Sequence, residues 1–200
     1  KEYATQHQRI VFNGNGYAPE WEKEARRRGL PVLPSMVDAI PALTTDKAVE
    51  LFGEFGVFTK TELESRAEIQ YEIYAKAINI EAKTMVDMAT IIPAVIKYTT
   101  VLAESINQVK AVGPIDVSVQ MDLLKKASKL LKEVNSTMNK LSKLVDQIET
   151  HPEGRDRAVF CREKLVPAME KLREPVDELE MLVDKDMWPM PSYGDLVFEP

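Results

Sequence analysis

The chain has 200 residues, 44% of them hydrophobic and 29% charged, which suffices for one sizeable core or for a small domain beside an extended region. Its formal net charge of -6 excludes nucleic acid as a main partner, because phosphate binding needs a basic face that releases counterions. The single cysteine, Cys161, excludes an intrachain disulfide. No signal peptide and no apolar run near the ~18 residues that cross a bilayer are read, which points to the cytoplasm and to no membrane partner.

Residues 1–57 hold most of the glycines, at 14, 16, 29, 53 and 56, together with Pro19, Pro31, Pro34 and Pro41. Gly and Pro interrupt helices, so short elements joined by turns are expected here. Asn13-Gly14-Asn15-Gly16 is a turn signature, since Asn and Gly tolerate positive φ. Pro19 suits the first turn of a helix that runs to about Arg28 and stops at Gly29. The basic cluster Arg26-Arg27-Arg28 then complements that helix's C-terminal end. A second short helix is expected from Asp46 to Phe55, capped by Thr45 and ended by Gly56.

Thr59-Lys60-Thr61-Glu62 has the pattern of a capping box, and no glycine follows until Gly113. Ile69, Ile73, Ile80, Met85, Met88, Ile92, Val95, Leu102, Ile106 and Val109 recur at helical spacing. They predict one helix of ~50 residues, ~75 Å long at 1.5 Å per residue, kinked by Pro93. After the Gly113-Pro114 turn, Asp116 or Ser118 caps a helix with two parallel apolar lines. One runs through Gln120, Leu123, Ala127, Leu130, Val134, Thr137, Leu141, Leu144 and Ile148, the other through Leu124, Leu131, Met138 and Val145. This is a coiled-coil-like seam. Beyond the break at 151–154, Leu165, Met169, Leu172, Val176, Leu179 and Val183 predict a third long helix, bent or broken at Pro167 and Pro175. The fold class is therefore mainly α: an antiparallel bundle of three long helices, preceded by a Gly/Pro-rich region with short helices. From Met187 the prolines end the helix, and Trp188, Pro189, Tyr193, Leu196, Val197 and Phe198 are too apolar for a solvated tail; a docking segment is expected.

The pattern contains no catalytic or metal-ligating constellation. His7 and His151 are the only histidines, and no helix carries the Glu-x-x-His spacing of a diiron bundle. Neither Cys161 nor any serine has a base within a nucleophile motif, and no phosphate-binding Gly-Lys-Ser/Thr loop occurs. Asn13, Gly14, Asn15, Gly16 and Tyr17 resemble a phosphate cradle only superficially, lacking the third glycine and the strand-to-helix context. Lys125, Lys126, Lys129, Lys132, Lys140 and Lys143 form a strip expected to face Glu163, Glu170, Glu174, Asp177, Glu178 and Glu180 on the neighbouring helix.

Several segments together resemble a known family. Arg9-Ile10-Val11-Phe12-Asn13-Gly14-Asn15-Gly16-Tyr17 with Glu20-Trp21, then Val37-Asp38-Ala39-Ile40-Pro41-Ala42-Leu43, Glu62-Leu63-Glu64-Ser65-Arg66 and Asn79-Ile80-Glu81-Ala82-Lys83, are similar to the region after the catalytic domain of type III glutamine synthetases. The ending from Trp188 to Phe198 resembles that family's C-terminus. The resemblance implies a parent enzyme that joins ammonia to glutamate using ATP and Mg2+ or Mn2+, with its catalytic and metal-binding residues upstream of this segment. It implies residues 1–57 as a linker and the end of the catalytic region, 58–186 as the bundle and 187–200 as the docking tail. No catalytic, cofactor-binding or metal-ligating residue transfers onto this chain, which alone is expected to be inactive. Its expected partners are the catalytic domain of the same protein and neighbouring subunits of a homo-oligomer. The loop 13–17 is a candidate for approach to the active site of that enzyme. The competing reading is a free-standing helical scaffold module, which would not need the Gly/Pro-rich region.

Overall fold

In the computed structural model the chain is mainly helical, with no strand among the described residues. These are residues 2–191 and 193–198, with all side chains except those of Ala4, Arg9 and Tyr193. The chain divides into two units, Lys1–Ala67 and Glu68–Pro200.

The first unit consists of short pieces, each with a local cause. Helix α1 (Glu2–Gln6) leads through a 3-10 turn (Gln8–Ile10) to α2 (Pro19–Arg27), which starts on a proline and ends before Gly29 at φ 68°. Helix α3 (Met36–Ala39) is capped by Ser35, whose hydroxyl accepts from the Val37 N–H at 3.2 Å. A 3-10 turn (Ile40–Thr44) connects it to α4 (Asp46–Glu54), capped by Thr45 and followed by Gly56 at φ 61°. Ala25, Val37 and Ile40 are buried. Helix α5 (Lys60–Asp87) then opens with the expected capping box. The Glu62 N–H donates to Thr59 Oγ1 at 3.3 Å, and Glu62 Oε2 accepts from the Thr59 N–H at 2.7 Å and from its hydroxyl. These bonds, the backbone one first, hold the Glu62 carboxyl below its ordinary pKa.

The second unit is built on long helices. Where one helix of ~50 residues is expected by rise and spacing, α5 ends at Asp87 and α6 (Ile91–Val112) begins after a three-residue turn. Pro93 accounts for the interruption: it has no N–H to give to Ala89, and its ring crowds that carbonyl. The Ile91 and Ile92 amides turn instead to the carbonyls of Met88 and Ala89, three residues back. Contrary to the sequence expectation of no span-length apolar run, the stretch 60–112 reaches a mean hydropathy of 1.4 over 18 residues, enough by length and composition to cross a bilayer. Within it Ile91, Val95, Tyr98, Leu102 and Ile106 are buried at steps of three and four, and α6 packs on α7 (Ser118–Gln147).

Helix α7 buries Ala127, Leu130, Val134, Met138, Leu141 and Val145, followed by Ile148 in the closing 3-10 turn (Ile148–Thr150). The seam thus takes its residues from both lines in the sequence, Ala127, Leu130 and Val134 from the first and then, from Met138, alternately from the second and the first, as a 3.6-residue helix drifts against a seven-residue repeat. Thr137 and Leu144 are only half-buried. The third run is α8 (Arg155–Phe160), a π-turn (Cys161–Leu165) and α9 (Val166–Glu180), which packs on α7. In the π-turn the Val166 N–H reaches back five residues to the Cys161 carbonyl, just before Pro167. Pro175, expected to bend or break the run, lies buried inside α9 and the helix continues through it.

One expectation is reversed on α5. Ile69, Ile73 and Ile80, read as core, are 51%, 53% and 66% exposed. The buried positions of its second-unit part are Tyr71, Ala75 and Ala82, beside the part-buried Asn79. The opposite face is inward because its small side chains fit where Cys161 Sγ lies 3.9 Å from the Ala75 carbonyl.

Candidate functional site

The Asn-Gly loop of the first unit is held at its base and open at its tip. Phe12 lies against Trp21 with ring centroids 4.5 Å apart, and the Arg28 guanidinium sits 5.9 Å and 5.8 Å from the two rings. Arg28 Nη1 donates to the Val11 carbonyl at 2.6 Å, tying the chain before the loop to the end of α2. Glu24 accepts from Arg27 Nη2 at 2.5 Å and from Arg28 Nε at 2.6 Å, and these bonds lower its carboxyl pKa to about 2. Arg27 and Arg28 of the basic cluster therefore close an internal network within the unit. Inside the loop the Tyr17 N–H donates to Asn15 Oδ1 at 3.0 Å, an Asx-turn. A Cβ on Gly14 would meet the tip of the Phe12 ring at 2.6 Å, so any larger residue there would displace that ring. Asn13, Asn15 and Gly16 are exposed, and Tyr17 is 100% exposed.

The C-terminal candidates separate into two groups. Trp188 follows a 3-10 turn (Lys185–Met187) that packs on α6, and its indole is buried with no acceptor for Nε1 among the described residues. Pro189 is exposed. The next helix, α10 (Tyr193–Phe198), is fastened by an ion pair between Lys185 and Asp195. It leaves Leu196 69% and Phe198 84% exposed, with Val197 exposed beside them. The side chain of Tyr193 lies outside the described residues.

Sequence reading missed a cleft in the second unit. Met85 from the end of α5, Met88 from the turn after it, Met169 and Val176 from α9, and Met190 and Leu196 from the C-terminal segment line about 580 Å3. That lies within the range of small-molecule pockets. The available signal was the placement of four of the nine methionines near the ends of otherwise Leu/Ile-rich stretches.

Groups able to do covalent or acid–base chemistry are few. Cys161 is fully buried, and burial pushes its thiol pKa up to about 11. His151 stacks on Phe160 at 4.0 Å, and its carbonyl accepts from Arg157. Among the described residues no three His, Cys, Asp or Glu side chains gather as a metal-ligand set. Of the lysine strip, Lys126 pairs with Glu178 across helices at 3.1 Å, whereas Lys125 and Lys129 pair within α7 with Asp122 and Glu133.

Comparison with known proteins places this architecture. The glutamine synthetase C-terminal domain family matches residues 1–110. A glutamine synthetase of Butyrivibrio fibrisolvens is 34% identical over 99% of this chain and 29% of its own length. A type-3 glutamine synthetase of Dictyostelium discoideum is 33% identical over 99% of the chain and 28% of its own length. A glutamine synthetase of Bacteroides fragilis is 31% identical over 94% and 27%. The chain spans less than a third of the length of these curated relatives. With its motifs matched from the Asn-Gly loop through α6, the chain belongs to the glutamine synthetase C-terminal domain family, of the type III kind.

Proposed function

We propose that this chain is the structural and assembly part of a glutamine synthetase, a protein whose remaining length carries the ATP- and Mg2+- or Mn2+-dependent joining of ammonia to glutamate. In this reading its frame is an antiparallel bundle of three long helical runs. Residue pairings support that arrangement. Glu68 neighbours Gly154, Ala75 neighbours Cys161 and Met85 shares a cleft with Met169, so α5 and the α8–α9 run advance together. Lys126 pairs with Glu178, while Glu133 and Lys140 share a groove with Lys171 and Glu174, so α7 runs the opposite way.

The observation that carries the assembly role is apolar surface left open after the core is complete. Ile69, Ile73 and Ile80 form one outward face of α5, and Leu196, Val197 and Phe198 crowd the short α10. Large apolar residues grouped on a surface mark contact sites, where single scattered ones do not. The partners are the catalytic part of the same protein and neighbouring subunits of a homo-oligomer, in the cytoplasm, with no role for nucleic acid or membrane. Within the apolar stretch in 60–112 the inward residues of α6 pack on α7, yet only 11% of its 18-residue window is buried, which leaves apolar surface for partner contacts.

The test uses the full-length protein. Ile69→Glu with Ile73→Glu, and separately truncation after Met187, should each lower the solution mass by light scattering and reduce synthetase activity. An unchanged mass and unchanged activity in both variants would sink the assembly reading.

A further inference from the structure

The methionine cleft has a rim as distinctive as its floor. Around Met85, Met88, Met169 and Met190 stand Glu81, Glu170, Asp177 and Glu180, against one cation, Arg173. Arg173 Nε is already engaged with Asp177 Oδ2 at 3.2 Å. The cleft therefore combines an apolar, polarisable interior with an excess of carboxylate at its mouth. Thioethers adapt their shape and make favourable contacts with aromatic rings. Carboxylates in excess at the edge of a low-dielectric cavity attract a cation and repel an anion.

We infer that this cleft is a binding site for a small organic cation with an aromatic or alkyl body and an amine head. The body lies among the methionines and Leu196, and the ammonium faces Glu81 and Glu170, both exposed at the rim. The volume of about 580 Å3 suits such a molecule and is too small for a packed helix with its flanking contacts. Part of the wall is Met190, Pro191 and Leu196, so an occupant also touches the segment that carries α10. The cleft shares Leu196 with the α10 surface of the assembly reading, but ligand binding is read by methyl shifts and assembly by solution mass, so failure of the one is distinguishable from failure of the other.

The experiment is a titration of the chain, labelled at its methionine methyl carbons, with 2-phenylethylammonium and in parallel with 3-phenylpropionate. The ammonium should shift the methyl signals of Met85, Met88, Met169 and Met190 and leave those of Met121 and Met181 in place. It should bind at least tenfold more tightly than the carboxylate, a difference of about 1.4 kcal/mol. Exchanging Glu81→Lys and Glu170→Lys together should reverse the order of the two probes. No shift at millimolar ammonium, equal response to both probes, shifts spread evenly over all methionines, or an unchanged preference in the double variant would each overturn the assignment.

Discussion

Gly154 joins the end of the second long run to α8, and its backbone stands at φ 81° and ψ -135°. That combination lies close to a region that side-chain-bearing residues scarcely occupy, at a cost of about 1–3 kcal/mol. An alanine there would also direct its Cβ onto the Glu68 carboxylate of α5. The carboxylate is the free end of a flexible side chain and swings aside, so the backbone accounts for most of the loss. Gly154→Ala should therefore destabilise the protein by about 1–3 kcal/mol, which at this chain length lowers Tm by about 2–12 °C. Urea unfolding followed by far-UV circular dichroism would read this as a lower midpoint at constant slope. Adding Glu68→Ala to the variant should recover only a small part of the loss. A loss under about 0.5 kcal/mol, within the range of ordinary surface substitutions, would refute the argument. So would full recovery on removing Glu68, which would trace the penalty to the contact and not to the backbone.

The reversed face of α5 is tested by a pair of substitutions: Ala82→Leu should cost about 1–3 kcal/mol by overpacking, while Ile80→Ala should stay within about 0.5 kcal/mol in denaturant melts. Cys161, buried and raised to about 11 from an ordinary 9.0, should resist thiol reagents at pH 8 in the folded protein and react fully in urea. The same shift means that its protonated form supports the fold below pH 9, and that this support is lost as pH rises from 9 toward 11. Glu24, with its carboxyl held at about 2 by Arg27 and Arg28, supports the first unit above pH 4.5 and loses that support as pH falls toward 2. Glu24→Gln should lower the urea midpoint at pH 7 and flatten the acid dependence, read by Trp21 fluorescence in a Trp188→Phe background; identical acid profiles would reject it.

Sequence pattern carried the local structure well where a single residue dictates the backbone. Pro19, Gly29, Thr45, Gly56 and the Thr59–Glu62 capping box all act where their chemistry requires. It carried less where two faces of one helix compete. On α5 the isoleucines outrank the alanines in hydrophobicity, yet the alanine face is inward, because fit against the Cys161 turn decides and hydrophobicity alone does not. Pro93 and Pro175 show the same limit: one coincides with a break between α5 and α6, and the other lies inside a continuous α9. The Asn-Gly loop and Trp188 were visible as unusual segments. The methionine cleft was not, because Met85, Met169 and Met190 come together only once three distant stretches are folded.

Alanines bury little area, so at about 25 cal/mol per Å2 the inner face of α5 gains less from packing than the leucine-rich faces of α7 and α9. Among the described residues Tyr71 is the one large side chain fully buried on that face in the second unit. Amide protons along 68–87 should then exchange through local opening well below the energy of global unfolding. Covering Ile69, Ile73 and Ile80 from outside would supply the missing burial. The exchange rate of this single helix thus becomes an internal gauge of occupancy, slow when its outer face is covered and fast when it is bare.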